Sequence, residues 1–377
     1  MRLLVGHQDF DIPNGYNSHC YWLKSDGIYE KLKNFQEFEI VDVDVNECND
    51  FYFFPINANN RETRIFSDEY FFGQYLSDKV LDDLKNDRCM LHFNWIDEPY
   101  IFNQEEINRL EDFLFIQNLS WGSILLTSNN FNLKMKRHES FNFFENSIEC
   151  NTHYLGFKMI DEKFDGEIRH SKFLSLGRTG HNHRKSLVDL YENENYTDEE
   201  ILYSALWKDK RIDDRFHWPN VHNESELNHG DGEINLSQYE QNPYQNSYIS
   251  IITETNFDNN ILQVTDKVFQ SIVNFHPFIY VSSCGGLKLL KSMGYKTFNF
   301  IDESYDDIED ETERLDFIKS EIKRLIKLKK SEIHNTYYQI VDVLRYNRKH
   351  WLNVGRYRVI KQMEVFYQNI RNKRIKS

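Results

Sequence analysis

Five cysteines in 377 residues, at positions 20, 48, 89, 150 and 284, are odd in number and scattered, without a metal-type pair. That excludes a disulfide framework and reads as reduced thiols in a cytoplasmic setting. No run of apolar residues approaches the length needed to cross a bilayer. The apolar opening Arg2 to Val5 is too short, and too quickly polar, for a secretory signal. There is no basic surplus: the net charge of -15 argues against broad, nonspecific binding to nucleic acid. No G-x-G-x-x-G follows the first strand, so a nicotinamide-dependent enzyme such as an epimerase ranks low. The scarcity of alanine beside abundant Asn, Ile, Lys and Phe resembles an AT-rich coding bias and carries no chemistry.

What is present suits a soluble α/β protein of two domains, each long enough to bury a core. Over residues 1–160 short apolar strands (RLLVGH, FEIVDVDV, FYFFPI, LHFNW, SILLTS) alternate with helical stretches near 18–32, 67–86 and 104–119, the pattern of a doubly wound, Rossmann-like domain. A second domain is expected over 170–330, and residues 331–377 are expected to close the chain as helices with a basic tail. From Val341 to Ser377 ten Lys or Arg face only Asp342 and Glu364. This reads as a solvated helical face, with contact to phosphates or an acidic partner as the alternative. Asp42 and Asp44 share one face of a period-two run, which reads as a strand-edge carboxylate pair in preference to a metal site.

Two stretches carry the chemistry. SKFLSLG ends as a strand in Gly177 and Arg178, and the turn Thr179 to Arg184 adds His181, His183 and Arg184 at the start of a helix. Guanidinium forks and helix amides there make an anion cradle, with a solvated surface turn as the alternative. The second stretch, Tyr248 to Tyr305, runs as strand, helix, strand, glycine pair and helix. It places Glu254 at a strand end, Thr265 and Asp266 where a helix cap belongs, and Gly285 and Gly286 where free amides would meet an anion. Between them lies a long polar loop, 211–246, with His217, His222, His229 and Asp231, read as substrate-facing.

Ile252-Thr253-Glu254-Thr255 followed by Val264-Thr265-Asp266-Lys267 is similar to the paired signature of the alpha-1,3-fucosyltransferase family, a Phe-Glu-Asn-Ser segment before a Val-Thr-Glu-Lys segment. Phe275 to Tyr305 also resembles glycosyltransferase-like proteins of marine bacteriophages. The resemblance covers about residues 170–310. Asp266 stands where the motif has Glu, and Thr253-Glu254-Thr255 replaces Glu-Asn-Ser, departures that bear on the donor sugar more than on the fold. A literal Phe144-Glu145-Asn146-Ser147 lies ahead of the second domain and lacks the following helix at the right distance.

The resemblance implies a GT-B glycosyltransferase: two Rossmann-like domains facing a cleft, no obligatory metal, and a nucleotide-sugar donor held by the second domain. In that reading Arg178 and Lys267 neutralise the diphosphate, backed by the Gly285 and Gly286 amides. His181, Arg184 and Thr265 belong to the same donor site. Glu254 and Asp266 accept hydrogen bonds from ribose or sugar hydroxyls. A general base comes from the loop after the first strand: His7, Asp9 or Asp11. The acceptor is a glycan, or a modified DNA base if the chain is phage-encoded and works in a host cytoplasm. A non-catalytic binding protein that keeps the fold is the alternative.

Overall fold

A computed structural model describes residues 2–7, 39–57, 76–95, 104–133, 138–140, 161–162, 164–177, 179–208 and 243–374. The helix expected at 18–32, the strand-like run 153–159 and most of the 211–246 loop lie outside these residues. The chain divides into two compact units: Met1–Phe143 with Arg358–Ser377, and Phe144–Tyr357.

The first unit is built on a six-stranded sheet among the described residues. Its strands are β1 (Arg2–His7), β2 (Glu39–Asp44), β3 (Tyr52–Asn57), β4 (Cys89–Trp95), β5 (Ile124–Ser128) and β6 (His138–Ser140). The order is β2-β1-β3-β4-β5-β6, and every pairing is parallel. Central strands of a parallel sheet are covered on both faces, which is why Phe54, Ile56, Leu91, Phe93, Ile124 and Leu126 are buried as near-continuous apolar runs. Helices α1 (Asp78–Lys85) and α2 (Gln104–Ile116) connect β3 to β4 and β4 to β5. Ser77 caps α1 by accepting from the Val80 amide, and the buried Asp83 carboxylate takes bonds from Tyr52 (2.9 Å) and Arg88 (2.7 Å). Asp42 and Asp44 stand on the edge strand β2, where Asp44 Oδ1 accepts from the Asn46 amide and begins a turn.

The second unit repeats the winding on a smaller scale. Strands β7 (Ser171–Gly177), β8 (Ile201–Ala205), β9 (Ser247–Thr253) and β10 (Phe278–Val281) are ordered β10-β9-β7-β8, again all parallel. Helix α3 (Asn182–Asn193) joins β7 to β8, and α4 (Asp266–Val273) joins β9 to β10. They are followed by α5 (Gly286–Ser292), α6 (Glu311–Ile326), α7 (Lys330–Gln339) and α8 (Val341–His350). A π-helical turn, Trp351–Gly355, leads into α9 (Arg356–Arg374). The expectation of two Rossmann-like α/β sheets is met. Strand β8 was not anticipated, and the two closing helices expected after residue 330 are three, separated at Ile340 and by the π turn.

In each sheet the first strand is flanked by the second on one side and the third on the other, so the winding reverses beside β1 and beside β7. Loops leaving the carboxyl ends of such neighbouring strands diverge and leave a crevice, the usual ligand position in an open parallel sheet. In the second unit those loops are Gly177–His181 and Glu254–Thr265.

Candidate functional site

Glu254 is the centre of the carboxyl edge of the second sheet. It directly follows β9, is fully buried, and its two oxygens are engaged within the chain. Oε1 accepts from the Tyr280 hydroxyl at 2.7 Å and the Thr265 amide at 3.1 Å; Oε2 accepts from the Thr265 hydroxyl at 2.6 Å. Lys267 completes the group, with Nζ 3.5 Å from Glu254 Oε2, 3.2 Å from Thr265 Oγ1 and 3.5 Å from Thr255 Oγ1. Its side chain is 29% exposed, so the positive charge sits at the boundary between the buried carboxylate and solvent. The helix beyond is capped by Thr265, whose hydroxyl accepts from the Lys267 amide, while Asp266 accepts from Gln270 one turn on. Cap, carboxylate and ammonium are thus one bonded unit, which is why Thr-Asp-Lys follows the strand-end Glu at this distance.

The neighbouring loop is tied to this unit from the side of β7. His183 Nε2–H donates to the Glu254 carbonyl at 2.8 Å, and its ring lies on Phe257 with centroids 5.1 Å apart. Burial holds the His183 imidazole neutral, its pKa pulled down to about 4. His181 stacks on His183 at 5.9 Å. Arg184 is buried and donates to the Thr179 carbonyl (3.2 Å) and the Thr253 carbonyl (2.9 Å). For Arg184 the structure departs from the anion-cradle expectation: its guanidinium ties the β7 loop to the end of β9 through these two carbonyls. Arg314 on α6, also fully buried, clamps from the other side, donating to the carbonyls of Phe257 (2.6 Å), Ile308 (2.7 Å) and Glu309 (3.1 Å).

Gly285 and Gly286 adopt the expected turn but not with free amides. Gly285 has φ +84°, a conformation that costs a side-chain-bearing residue strain, and its amide donates to the Asp306 carbonyl at 2.8 Å. The Asp306 carboxylate accepts from the next amides, Leu287 (2.8 Å) and Lys288 (2.9 Å). The anion at this helix start is therefore the chain's own, and burial pushes its carboxyl pKa upward. At Gly286 a Cβ would stand 2.1 Å from Ser282 Oγ and 3.0 Å from Tyr280 Cε1. Gly286→Ala is expected to lower stability by roughly 1–3 kcal/mol through forced repacking, read as a smaller urea midpoint with an unchanged slope.

Of the remaining expected site residues, Arg178, Asp9 and Asp11 lie outside the described residues. His7 is placed by its backbone, the last residue of β1, paired with Asp44 of β2. Tyr280 and Asp306 were missed by sequence reading. Neither has a local signal, because the groups they hold are 26 and 18 or 19 residues away. Among the described residues no group of three or more His, Cys, Asp or Glu is arranged to hold a metal ion, and no helix is long and apolar enough to cross a membrane.

No protein-family model matches the chain, and no curated protein matches it. Among solved structures it is similar to a crystal structure of an alpha1,3-fucosyltransferase, with 12% identity and a TM-score of 0.40 over 90% of this chain and 80% of that one. It is also similar to a crystal structure of an alpha1,3-fucosyltransferase with GDP-fucose, with 10% identity and a TM-score of 0.35 over 90% of each chain.

Proposed function

We propose that the chain is a glycosyltransferase of GT-B type, moving a sugar from a nucleotide-sugar donor to an acceptor hydroxyl. The observation that supports it is Lys267: a half-buried ammonium at the switch point of an all-parallel sheet, aligned by Glu254, Thr255 and Thr265. Transfer of a sugar requires positive charge where the nucleoside diphosphate departs. Lys267 and Arg178 supply it, and 170–330 is the donor domain. Glu254 acts by positioning Lys267 and the α4 cap, since its oxygens are engaged within the chain. The acceptor oxygen attacks the anomeric carbon, the bond to the diphosphate oxygen breaks, and the proton passes to a base from the loop after β1: His7, Asp9 or Asp11. The acceptor is a glycan, or a modified DNA base.

Titration calorimetry with a panel of nucleoside diphosphates and nucleotide sugars tests this reading. One or more should bind, and Lys267→Ala should weaken that binding about tenfold to a hundredfold, the worth of a charge-assisted hydrogen bond. Silence across the panel, or unchanged binding by the variant, rejects the assignment. A binding protein that has lost the chemistry is favoured by the internal commitment of Glu254 and of the amides after Gly285. It would bind a nucleotide and leave the donor intact in the presence of acceptors.

A further inference from the structure

Besides Nε of the two clamping arginines, Arg184 and Arg314, whose other nitrogens are bonded, two uncharged N–H groups at the carboxyl edge of the second sheet are buried with no acceptor: Trp207 Nε1 and Asn256 Nδ2. Buried donors are paired almost everywhere in folded proteins, so each such group needs a reason to exist. Their places are related. Trp207 lies two residues beyond β8 and Asn256 three beyond β9, and the strand between them is β7. The pair therefore brackets the loop that leaves β7 at the point where the winding reverses.

A second observation concerns that loop. The Trp207 indole lies against it so closely that a Cβ at Gly177 would stand 2.9 Å from Cζ3, and one at Gly180 would stand 2.8 Å from Cγ. Gly177 and Gly180 are thus required by the indole. On the other side, Asn256 lies between Glu254, whose carbonyl takes the His183 bond, and Phe257, whose ring takes the His183 stack and whose carbonyl takes the Arg314 bond. Both residues are partly exposed while their N–H groups point inward. Both donors are uncharged; the charge-assisted bonds a diphosphate calls for fall to Lys267, and the oxygens of a base, ribose or sugar are left for these two.

We propose that Trp207 and Asn256 are specificity-determining donors of the ligand site, giving Nε1–H and Nδ2–H to uncharged oxygen acceptors of the nucleotide sugar. This rests on the reading of the same site as a nucleotide-sugar site. The acceptors belong to the nucleoside half or to the transferred sugar. Ligand entry, with a small shift of each side chain, gives both donors an acceptor.

The experiment uses the full chain and two variants that lack the donor: Asn256→Leu, nearly isosteric, and Trp207→Phe, smaller by one ring. Calorimetry is run with the nucleoside diphosphate and the nucleotide sugar that wild type binds best, and thermal midpoints are taken without ligand. Each variant is expected to bind about tenfold more weakly, and the ligand-free midpoint of Asn256→Leu to hold or rise, because a buried unpaired donor has been removed. Loss on both ligands places the acceptors on the nucleoside half; loss on the nucleotide sugar alone places them on the sugar. Unchanged affinity in both variants overturns the proposal and leaves the nucleotide-sugar reading standing. A lower ligand-free midpoint in Asn256→Leu also overturns it, since the donor then serves the fold. If wild type binds nothing in the panel, the functional reading fails first and this proposal with it.

Discussion

Glu254→Ala is expected to unfold the second unit at markedly lower urea, with a loss of about 3–5 kcal/mol, and to abolish nucleotide binding. The magnitude follows from what the carboxylate leaves behind. The Thr265 amide and hydroxyl and the Tyr280 hydroxyl lose a buried acceptor, and Lys267 loses its counter-charge. Buried donors without acceptors cost more than the bonds themselves had contributed. Glu254→Gln separates two roles. It retains one carbonyl oxygen for Thr265 or Tyr280 and carries no charge, so it should recover part of the stability while Lys267 stays unanchored and ligand affinity stays low. Urea melts of the three proteins, read beside calorimetry, decide the matter. A Glu254→Ala protein with wild-type stability would mean that the buried network does not hold the edge of the sheet.

Acidification should weaken the protein well before most of its carboxylates are protonated. His183 in the second unit and His92 in the first are both buried and neutral, with pKa values drawn down to about 4 and about 3 by the loss of hydration. His276 is shifted the same way. In the unfolded chain each takes up a proton near pH 6.5, while in the folded protein His183 and His92 refuse it until about pH 4 and about pH 3. The unfolded state therefore binds more protons across that window. Their contribution is complete above pH 6.5 and declines as the pH falls, by roughly 3 to 5 kcal/mol each for His183 and His92 over the full shift. Denaturant melts at pH 7 and pH 4.5 should show the midpoint falling steeply. His183→Gln, whose amide still reaches the Glu254 carbonyl, should lose less of its midpoint over the same interval than wild type. A midpoint independent of pH between 7 and 4.5 would sink the idea.

The contrast between what was and was not readable in the chain has a physical pattern. Strands β7, β9 and β10 were legible because each is an apolar run bounded by turn residues, and α4 because Thr265 caps it directly ahead of an apolar stripe. These are local effects, decided within a few residues. Strand β8 was overlooked because Ile201–Ala205 is short and mixed, and only its pairing with β7 defines it. The glycine pair shows the limit most clearly. Its backbone geometry could be anticipated from two residues, whereas its anion, Asp306, comes from a separate turn folded over it. Arg184 fails in the same way: a guanidinium near a glycine turn suggests an anion, but its two carbonyl partners include Thr253, 69 residues away. Trp207 and Asn256 draw attention only through burial, which no spacing records.

The division of the chain also bears on its synthesis. The second unit, Phe144–Tyr357, is one uninterrupted piece, but the first is assembled from two stretches that flank it in the sequence. Tyr367, near the end of α9, packs edge-on to Phe53 (5.1 Å) and His92 (6.3 Å). A ribosome therefore delivers everything the later unit needs while the earlier one still waits for its last helix. The part made first is the part finished last, and a nascent chain stalled short of residue 367 would expose the aromatic seat that this tyrosine fills.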